Sequence, residues 1–153
     1  MDLKNIIRTI PNYPIEGVLF RDITTVLKDK DALKYSVDEI TKSLENIEFD
    51  YVLGPESRGF IFAMPIAYNM NKGFIPVRKA GKLPAETISK EYDLEYGSAT
   101  LEIHKDAIKK GDKVIIVDDL LATGGTCKAI IELVESIGAE VVSLNFFIEL
   151  EEL

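Results

Sequence analysis

The chain has 153 residues, one cysteine, one histidine and a formal net charge of −8 at pH 7. These numbers exclude an internal disulfide, a zinc site built on cysteines and a metal site built on several histidines. An acidic chain is also a poor non-specific binder of nucleic acid, whose affinity rests on phosphate neutralisation. No apolar run approaches the roughly 20 residues that span a bilayer, and the N-terminus lacks a secretory signal. We therefore expect a cytoplasmic protein without a nucleic-acid or membrane partner.

Hydrophobic periodicity predicts helices and strands that alternate along the chain. Residues 29–45 form the first predicted helix, because Leu33, Val37, Ile40 and Leu44 recur at helical spacing behind an N-cap at Asp29 or Asp31. The other predicted helices are 59–69, despite Pro65, and 126–137, whose apolar face is Ile130, Leu133, Val134 and Ile137 and which Gly138 closes. The predicted strands are 51–54, 74–77, 100–103, 114–117 and 141–148.

This alternation predicts an α/β fold: one domain with a mainly parallel sheet flanked by helices. In such sheets, ligands bind beyond the carboxyl ends of the strands. The polar residues that follow the predicted strand 114–117 lie at this edge of the sheet.

The stretch VIIVDDLLATGGT, Val114–Thr126, combines a buried strand, two carboxylates and a small-residue loop that leads into a helix. Backbone N–H groups at a helix start favour an anion, and threonine hydroxyls add donors. The loop therefore suits a phosphate, and Asp118 and Asp119 suit hydroxyl groups one sugar length away. Together they indicate ribose 5-phosphate. Neither the P-loop nor the dinucleotide-binding glycine pattern occurs in the chain.

Two further segments carry cations in this acidic chain. GPESRG, residues 54–59, is a small-residue loop between a predicted strand and helix, with Arg58 as its cation. Residues 72–85 contain Lys72, Arg78, Lys79 and Lys82 and no acid. Such a concentration of positive charge suits a pyrophosphate group.

These segments resemble the type I phosphoribosyltransferase family. The string Val114–Thr126 matches the family signature of three apolar residues, [DE]-D-x-x-x-T-G-[GK]-[ST]. The segments GVLFRDIT, ESRGF, VRKAGKLP and YDLEYG resemble the members that act on adenine, in the same order and spacing, and the resemblance covers nearly all of the chain. It implies the type I phosphoribosyltransferase fold, with a small N-terminal base-binding region at about residues 1–28 and a flexible hood loop at about 83–97.

The resemblance implies an activity: adenine and 5-phosphoribosyl 1-pyrophosphate are converted to AMP and pyrophosphate with Mg²⁺. It assigns Glu95, at adenine N7, and Asp118 and Asp119 as catalytic residues. Magnesium would be ligated mainly by substrate oxygens and oriented through water by the two aspartates, with no dedicated protein metal site. The resemblance also implies a homodimer and a non-proline cis peptide near Glu56–Ser57.

The substrate-binding residues implied by the resemblance fall into three groups. The group for the base and the hood contains Leu19, Phe20, Arg21 and Tyr96. The group for the pyrophosphate contains Glu56, Ser57, Arg58, Arg78, Lys79 and Lys82. The group for the 5-phosphate contains Ala122, Thr123, Gly124, Gly125 and Thr126. Residues 83–97 read as a 15-residue loop, a length typical of a lid. His104 and Cys127 are expected to be structural.

Two alternatives remain open at this point. The first is a phosphoribosyltransferase for another purine base, against which the GVLFRD and LEYG segments argue. The second is a regulatory protein that senses phosphoribosyl pyrophosphate, which would need a nucleic-acid-binding region that the sequence does not reveal. Family members usually continue with a segment that adds another strand, whereas this sequence stops at Leu153. Two interpretations stay open: the sheet edge at 141–148 is exposed, or the sequence is a truncated form of a longer chain.

Overall fold

The structure is a computed structural model that describes residues 2–13, 16–17, 19–94, 97–121 and 125–149. Its contacts divide the chain into two compact units, Met1–Ser43 and Leu44–Leu153. The first unit is longer than the predicted N-terminal segment of residues 1–28, because it includes a second helix. Within the described part of the chain, no helix is both long and apolar enough to cross a membrane.

The first unit consists of a two-stranded antiparallel sheet and two helices. Strand β1 (Arg8–Pro11) pairs with β2 (Leu19–Asp22), followed by α1 (Thr24–Lys28) and α2 (Lys30–Ser43). The Asp29 carboxylate accepts the backbone N–H groups of Asp31 and Ala32 at 3.0 Å each. This contact confirms Asp29 as the N-cap of the predicted helix.

The second unit contains a six-stranded sheet in the order β5-β6-β4-β3-β7-β8. Its strands are β3 (Tyr51–Pro55), β4 (Gly73–Lys79), β5 (Thr87–Asp93), β6 (Ser98–His104), β7 (Lys113–Leu121) and β8 (Glu140–Glu149). Strands β4, β3, β7 and β8 are parallel neighbours, whereas β6 pairs antiparallel with β4 and β5. The predicted mainly parallel sheet is therefore confirmed, with an antiparallel hairpin added at one edge.

Two helices of the second unit pack against this sheet. Helix α3 (Arg58–Asn69) contacts β3, β4 and β7, and α4 (Gly125–Ile137) contacts β5, β6 and β8. The core lies between α4 and the sheet, where Ile130, Leu133 and Val134 are almost completely buried, as their spacing predicts. Gly138 ends α4 with φ at +90°, a conformation that glycine adopts without steric cost.

Three parts of the fold differ from the sequence-based expectation. Residues 83–97 were expected to form a loop, but Thr87–Asp93 is strand β5, paired residue by residue with β6. Strand β7 continues past residue 117 to Leu121, and the N-terminal hairpin and α1 were not predicted. These elements are short or carry mostly polar residues, so hydrophobic periodicity is a weak signal for them.

Candidate active site

The predicted phosphate and sugar segments lie at neighbouring strand ends. Strands β3 and β7 run parallel, with Leu53 opposite Ile116. Strand β3 ends at Pro55, and its pairing with β7 ends at Ile116. Beyond that residue, β7 pairs with β8, and Asp118 lies opposite Phe146. The parallel register therefore brings the loop after β3 and the aspartate pair of β7 to the same edge of the sheet.

An ion pair joins these two segments. The Nε atom of Arg58, the first residue of α3, lies 3.0 Å from Oδ2 of Asp119. The Asp119 side chain is only 6% exposed, whereas that of Arg58 is 47% exposed. The guanidinium thus compensates a buried carboxylate and still presents a face on which an anionic ligand can bind.

Asp118 is held differently from Asp119. Its Oδ1 accepts the Asp119 backbone N–H at 2.7 Å. Burial raises the pKa of Asp118 to about 8, and the adjacent Asp119 side chain adds to the rise, whereas the Asp119 N–H and the Arg58 charge oppose it. Asp118 therefore keeps its proton at neutral pH. A group that is protonated in this state and ionises at slightly higher pH can exchange a proton with a bound hydroxyl.

The start of α3 approaches Asp118 closely because residue 59 is glycine. A Cβ atom at Gly59 would lie 2.8 Å from Pro55 Cδ and 3.1 Å from Asp118 Oδ1. Such distances are below ordinary van der Waals contact, so any larger side chain would displace the helix start or the carboxylate. Gly59 therefore permits the close packing between the loop after β3 and the end of β7.

Glu56 connects the loop after β3 to the basic segment. The Glu56–Ser57 peptide bond is cis, as the resemblance implied. Oε1 of Glu56 accepts the Lys79 backbone N–H at 2.7 Å, and the same carboxylate lies 3.3 Å from Arg78 Nε and 4.0 Å from Lys82 Nζ. Burial raises its pKa, but the Lys79 N–H and the two cations outweigh burial and lower the pKa of Glu56 below its ordinary value. Glu56 is therefore ionised and holds the end of β4.

Only part of the basic segment, residues 72–85, lies at this site. The Arg78 guanidinium lies over the Phe60 ring, 5.9 Å from its centre. Arg78 Nε is buried and makes no hydrogen bond within the described residues, so its 3.3 Å approach to the nearby carboxylate is an ion pair without hydrogen-bond alignment. Lys72, by contrast, precedes β4 at the opposite end of that strand and lies over Phe49. The local positive charge at the site comes from Arg78, Lys79 and Lys82.

Helix α4 begins at the second glycine of the predicted phosphate loop. Gly125 and Thr126 occupy its first turn, and the Thr126 hydroxyl hydrogen-bonds the Tyr92 hydroxyl at 3.4 Å. A cleft of about 310 Å³ lies beside this turn. It is lined by Glu91, Tyr92, Asp93, Gly125, Lys128, Ala129 and Glu132. The sequence analysis assigned no role to Tyr92 or Lys128. For Tyr92 the reason is that strand β5, which brings it to α4, was expected to be a loop.

Several predicted residues lie outside the described part of the chain. These are Glu95, Tyr96, Ala122, Thr123 and Gly124, together with the side chains of Leu19 and Phe20. Arg21 belongs to the first unit, where its guanidinium hydrogen-bonds the Thr9 hydroxyl. Their assigned roles remain predictions.

Cys127 and His104, which were expected to be structural, are held by burial and by a hydrogen bond to the backbone, respectively. Cys127 is 8% exposed, and burial together with the nearby Asp118 charge raises its pKa to about 11, so the thiol stays protonated at neutral pH. His104 accepts the Ala85 backbone N–H at Nε2, at 3.3 Å. Both residues support the segments that carry the site.

Comparisons with known proteins agree with this arrangement. The family model for the phosphoribosyl transferase domain matches residues 24–149. The adenine phosphoribosyltransferase of Clostridium novyi is 62% identical over 153 residues, covering 100% of this chain and 89% of that protein. The crystal structure of the enzyme of the same name from Thermoanaerobacter pseudethanolicus has a TM-score of 0.93 and 56% identity, covering 96% of this chain and 86% of that one.

A third similar protein was crystallised with ligands. The adenine phosphoribosyltransferase of Saccharomyces cerevisiae, complexed with an imino-altritol 1,6-bisphosphate and adenine, has a TM-score of 0.92 and 42% identity, covering 98% of this chain and 88% of that one. The family match spans most of the chain, and the relatives far exceed the identity at which homologues share a fold. The chain therefore belongs to the type I phosphoribosyltransferase family, among the adenine phosphoribosyltransferases.

Proposed function

We propose that this protein transfers the 5-phosphoribosyl group of 5-phosphoribosyl 1-pyrophosphate to adenine, giving AMP and pyrophosphate in purine salvage. The observation that carries the proposal is the aspartate pair of β7. An ion pair joins Asp119 to Arg58 at the start of α3, and Glu56 in the loop before that helix contacts the cation-rich segment. The yeast relative, whose structure contains adenine and a bisphosphate, supports adenine as the acceptor base.

The sugar and its phosphate would bind at the end of β7 and the start of α4. Asp118 and Asp119 accept hydrogen bonds from the 2- and 3-hydroxyl groups. The loop 122–126 and the N–H groups of the first turn of α4 hold the 5-phosphate, as helix starts commonly do. In this pose, ribose C1 lies towards the base and the leaving group, which a displacement at that carbon requires.

The pyrophosphate would bind on the cations around the β3 and β4 ends. Arg58, Arg78, Lys79 and Lys82 neutralise its charge as the bond to C1 breaks, and Ser57 adds a donor from the same loop. Glu56 holds the Lys79 backbone through its N–H and lies 4.0 Å from the Lys82 ammonium. Charge neutralisation on the leaving group favours the oxocarbenium-like transition state expected for this displacement.

The donor set of the site fits magnesium. Among the described residues, no group of three or more histidine, cysteine, aspartate or glutamate side chains could enclose a metal ion. Asp118 and Asp119 are neighbours that would orient the ion through water, and Mg²⁺ commonly keeps several waters and binds substrate phosphates. When bound, the ion supplies positive charge to the diphosphate oxygens.

For the adenine base, we propose the residues that the family resemblance assigns to it. Phe20 stacks on the adenine ring, and backbone groups of Leu19 and Arg21 read its edge. Glu95 accepts the proton at N7, and Tyr96 helps the hood to exclude water from the reacting carbon. These roles rest on the family resemblance.

We further propose a cytoplasmic homodimer that buries one face of α3. Ile61, Met64 and Tyr68 recur at helical spacing on this helix and are 40%, 56% and 86% exposed. An exposed apolar stripe of this kind is typical of a subunit interface. Light scattering of the unmodified protein and of a Met64→Glu variant tests this: we expect a dimer that the charge converts to monomer, and a monomeric unmodified protein would contradict it.

Product formation tests the activity itself. With purified protein, adenine and 5-phosphoribosyl 1-pyrophosphate, we expect AMP in the presence of magnesium and little in excess chelator. Hypoxanthine in place of adenine should give far less product. Faster turnover of hypoxanthine, or no product with either base, would contradict the proposed function.

A further inference from the structure

A glutamate on β6 holds both ends of the segment that carries Lys82. Oε1 of Glu102 accepts the Gly81 backbone N–H at 2.8 Å, and Oε2 accepts the Thr87 hydroxyl at 2.8 Å. Glu102 lies opposite Arg78 on β4 and opposite Ser89 on β5, so it is at the centre of the three-stranded antiparallel part of the sheet. One carboxylate therefore connects the turn after β4 to the first residue of β5.

The backbone of this turn is fully engaged by the protein. The Lys79 N–H donates to Glu56, the Ala80 N–H donates to the Thr100 carbonyl at 3.1 Å, and the Gly81 N–H donates to the glutamate on β6. These three consecutive N–H groups are thus satisfied before any ligand binds. The turn can contribute to anion binding only through its side chains, whose directions its backbone sets.

A second side chain of β6 supports the same segment. His104 lies two residues after Glu102, on the same face of the strand, and its Nε2 accepts the Ala85 N–H. Outward-facing side chains of β6 therefore fix the segment 81–87 at its start, its middle and its end. Gly81 has φ at +84° with open space around its Cα, so this backbone geometry does not depend on close packing.

We propose that Glu102 is a positioning residue for the leaving group: it fixes the turn 79–82 so that the Lys79 and Lys82 side chains meet the pyrophosphate without a further ordering step. This inference rests on the proposed function. Ordering a mobile cationic turn upon binding costs conformational entropy, and a turn that is already held avoids that cost. A purely electrostatic role would act in the opposite direction, because a carboxylate beside the turn weakens its attraction for an anion.

A set of matched variants separates a positioning role of Glu102 from a purely electrostatic role. Glu102→Ala removes both hydrogen bonds. Glu102→Gln removes the charge but keeps both bonds, since its amide oxygen can accept from Gly81 and its amide nitrogen can donate to the Thr87 oxygen. Thr87→Val removes one bond only. Glu135→Gln, an exposed position in the last turn of α4, is the control for loss of one negative charge.

The measurements are the KM for 5-phosphoribosyl 1-pyrophosphate, the KM for adenine, and the Kd of inorganic pyrophosphate by calorimetry. For Glu102→Ala we expect the phosphoribosyl pyrophosphate KM and the pyrophosphate Kd to rise roughly tenfold, with an unchanged adenine KM. Glu102→Gln should recover most of this loss, and Thr87→Val should fall between the two. If the alanine variant does not fold, the glutamine and valine variants carry the same comparison.

Three results would overturn the proposal. One is a Glu102→Ala variant whose pyrophosphate Kd differs from that of Glu135→Gln by less than about twofold. Another is tighter pyrophosphate binding by both Glu102 variants, which would show an electrostatic role. The third is a lower kcat with both KM values unchanged, which would show a loss of folded protein alone. AMP formation by the unmodified protein, measured in the kinetic assay, tests the proposed function separately. The calorimetric comparison of pyrophosphate binding does not depend on AMP formation.

Discussion

Arg58 and Asp119 form an ion pair, with 3.0 Å between Nε and Oδ2, that joins the first residue of α3 to the end of β7. The arginine assigned to the leaving group and an aspartate assigned to the sugar are thus in direct contact. When the bond at C1 breaks, negative charge develops on the leaving group assigned to Arg58, and positive charge develops on the sugar assigned to Asp119. The pair therefore places the two electrostatic requirements of the reaction within one short network.

Replacing the buried member of this pair is expected to affect turnover more than base binding. Asp119→Asn should lower kcat about a hundredfold, since one oriented charge at a reacting centre commonly contributes that much. The adenine Kd should stay within a few-fold of its original value, because Asp119 is assigned to the sugar and other residues are assigned to the base. Steady-state kinetics and calorimetry measure the two quantities, with the exposed Asp106→Asn as control. Unchanged steady-state rates would remove Asp119 from the chemistry.

The raised pKa of Asp118 predicts a pH dependence of stability. Its folded pKa of about 8 exceeds the unfolded value of about 3.9, so the folded state binds the proton more tightly. The stabilisation is present in full below about pH 4 and is lost as the pH rises through about 8.

Asp118→Asn should remove this dependence. We expect the Tm of the unmodified protein to fall more steeply between pH 5 and pH 9 than that of the variant, and the variant to be the more stable at pH 8. The pKa of Asp22, lowered to about 2, and that of Cys127, raised to about 11, place their effects outside this window. Parallel Tm profiles of the two proteins would show that Asp118 ionises normally.

The close approach at Gly59 predicts that a single methyl group disturbs the site. Gly59→Ala should destabilise the fold by about 1–3 kcal/mol, as overpacking commonly does, and should lower kcat because its Cβ would contact Asp118 Oδ1. Denaturant unfolding and turnover measure the two effects. Asn69→Ala, an exposed change at the last residue of the same helix, serves as control. If Gly59→Ala behaves like that control, the start of α3 does not constrain the carboxylate.

Glu95 was assigned from the resemblance to the proton transfer at adenine N7. Glu95→Gln should slow single-turnover formation of AMP roughly a hundredfold, within the range for a general base or acid. Rapid-quench measurements with enzyme in excess separate this step from product release. Equal single-turnover rates for the variant and the unmodified protein would exclude Glu95 from the chemical step.

Much of the second unit was predictable because its elements carry strong local signals. The run Val114–Val117 is buried throughout, as expected for a central parallel strand, and the apolar positions of α4 recur at helical spacing. Because parallel strands end at a common edge, the aspartate pair and the loop after β3 could also be placed together from sequence.

The parts that were missed depend on contacts that hydrophobic periodicity does not reveal. Strand β5, TISKEYD, is mostly polar and half exposed, and only its pairing with β6 defines it as a strand. The Arg58–Asp119 contact and the hydrogen bonds of Glu102 likewise join residues far apart in sequence. In LEIH, residues 101–104, apolar and polar residues alternate, which indicates that Glu102 faces away from the core. The alternation does not indicate that Glu102 holds a turn more than 20 positions earlier in the chain.

A crystal structure of the protein with AMP bound tests the central claim most directly. The account predicts that the ribose hydroxyl groups lie within hydrogen-bond distance of Asp118 and Asp119, and that the 5-phosphate lies on residues 122–126 at the start of α4. AMP bound elsewhere, with the aspartate pair free of the sugar, would contradict it.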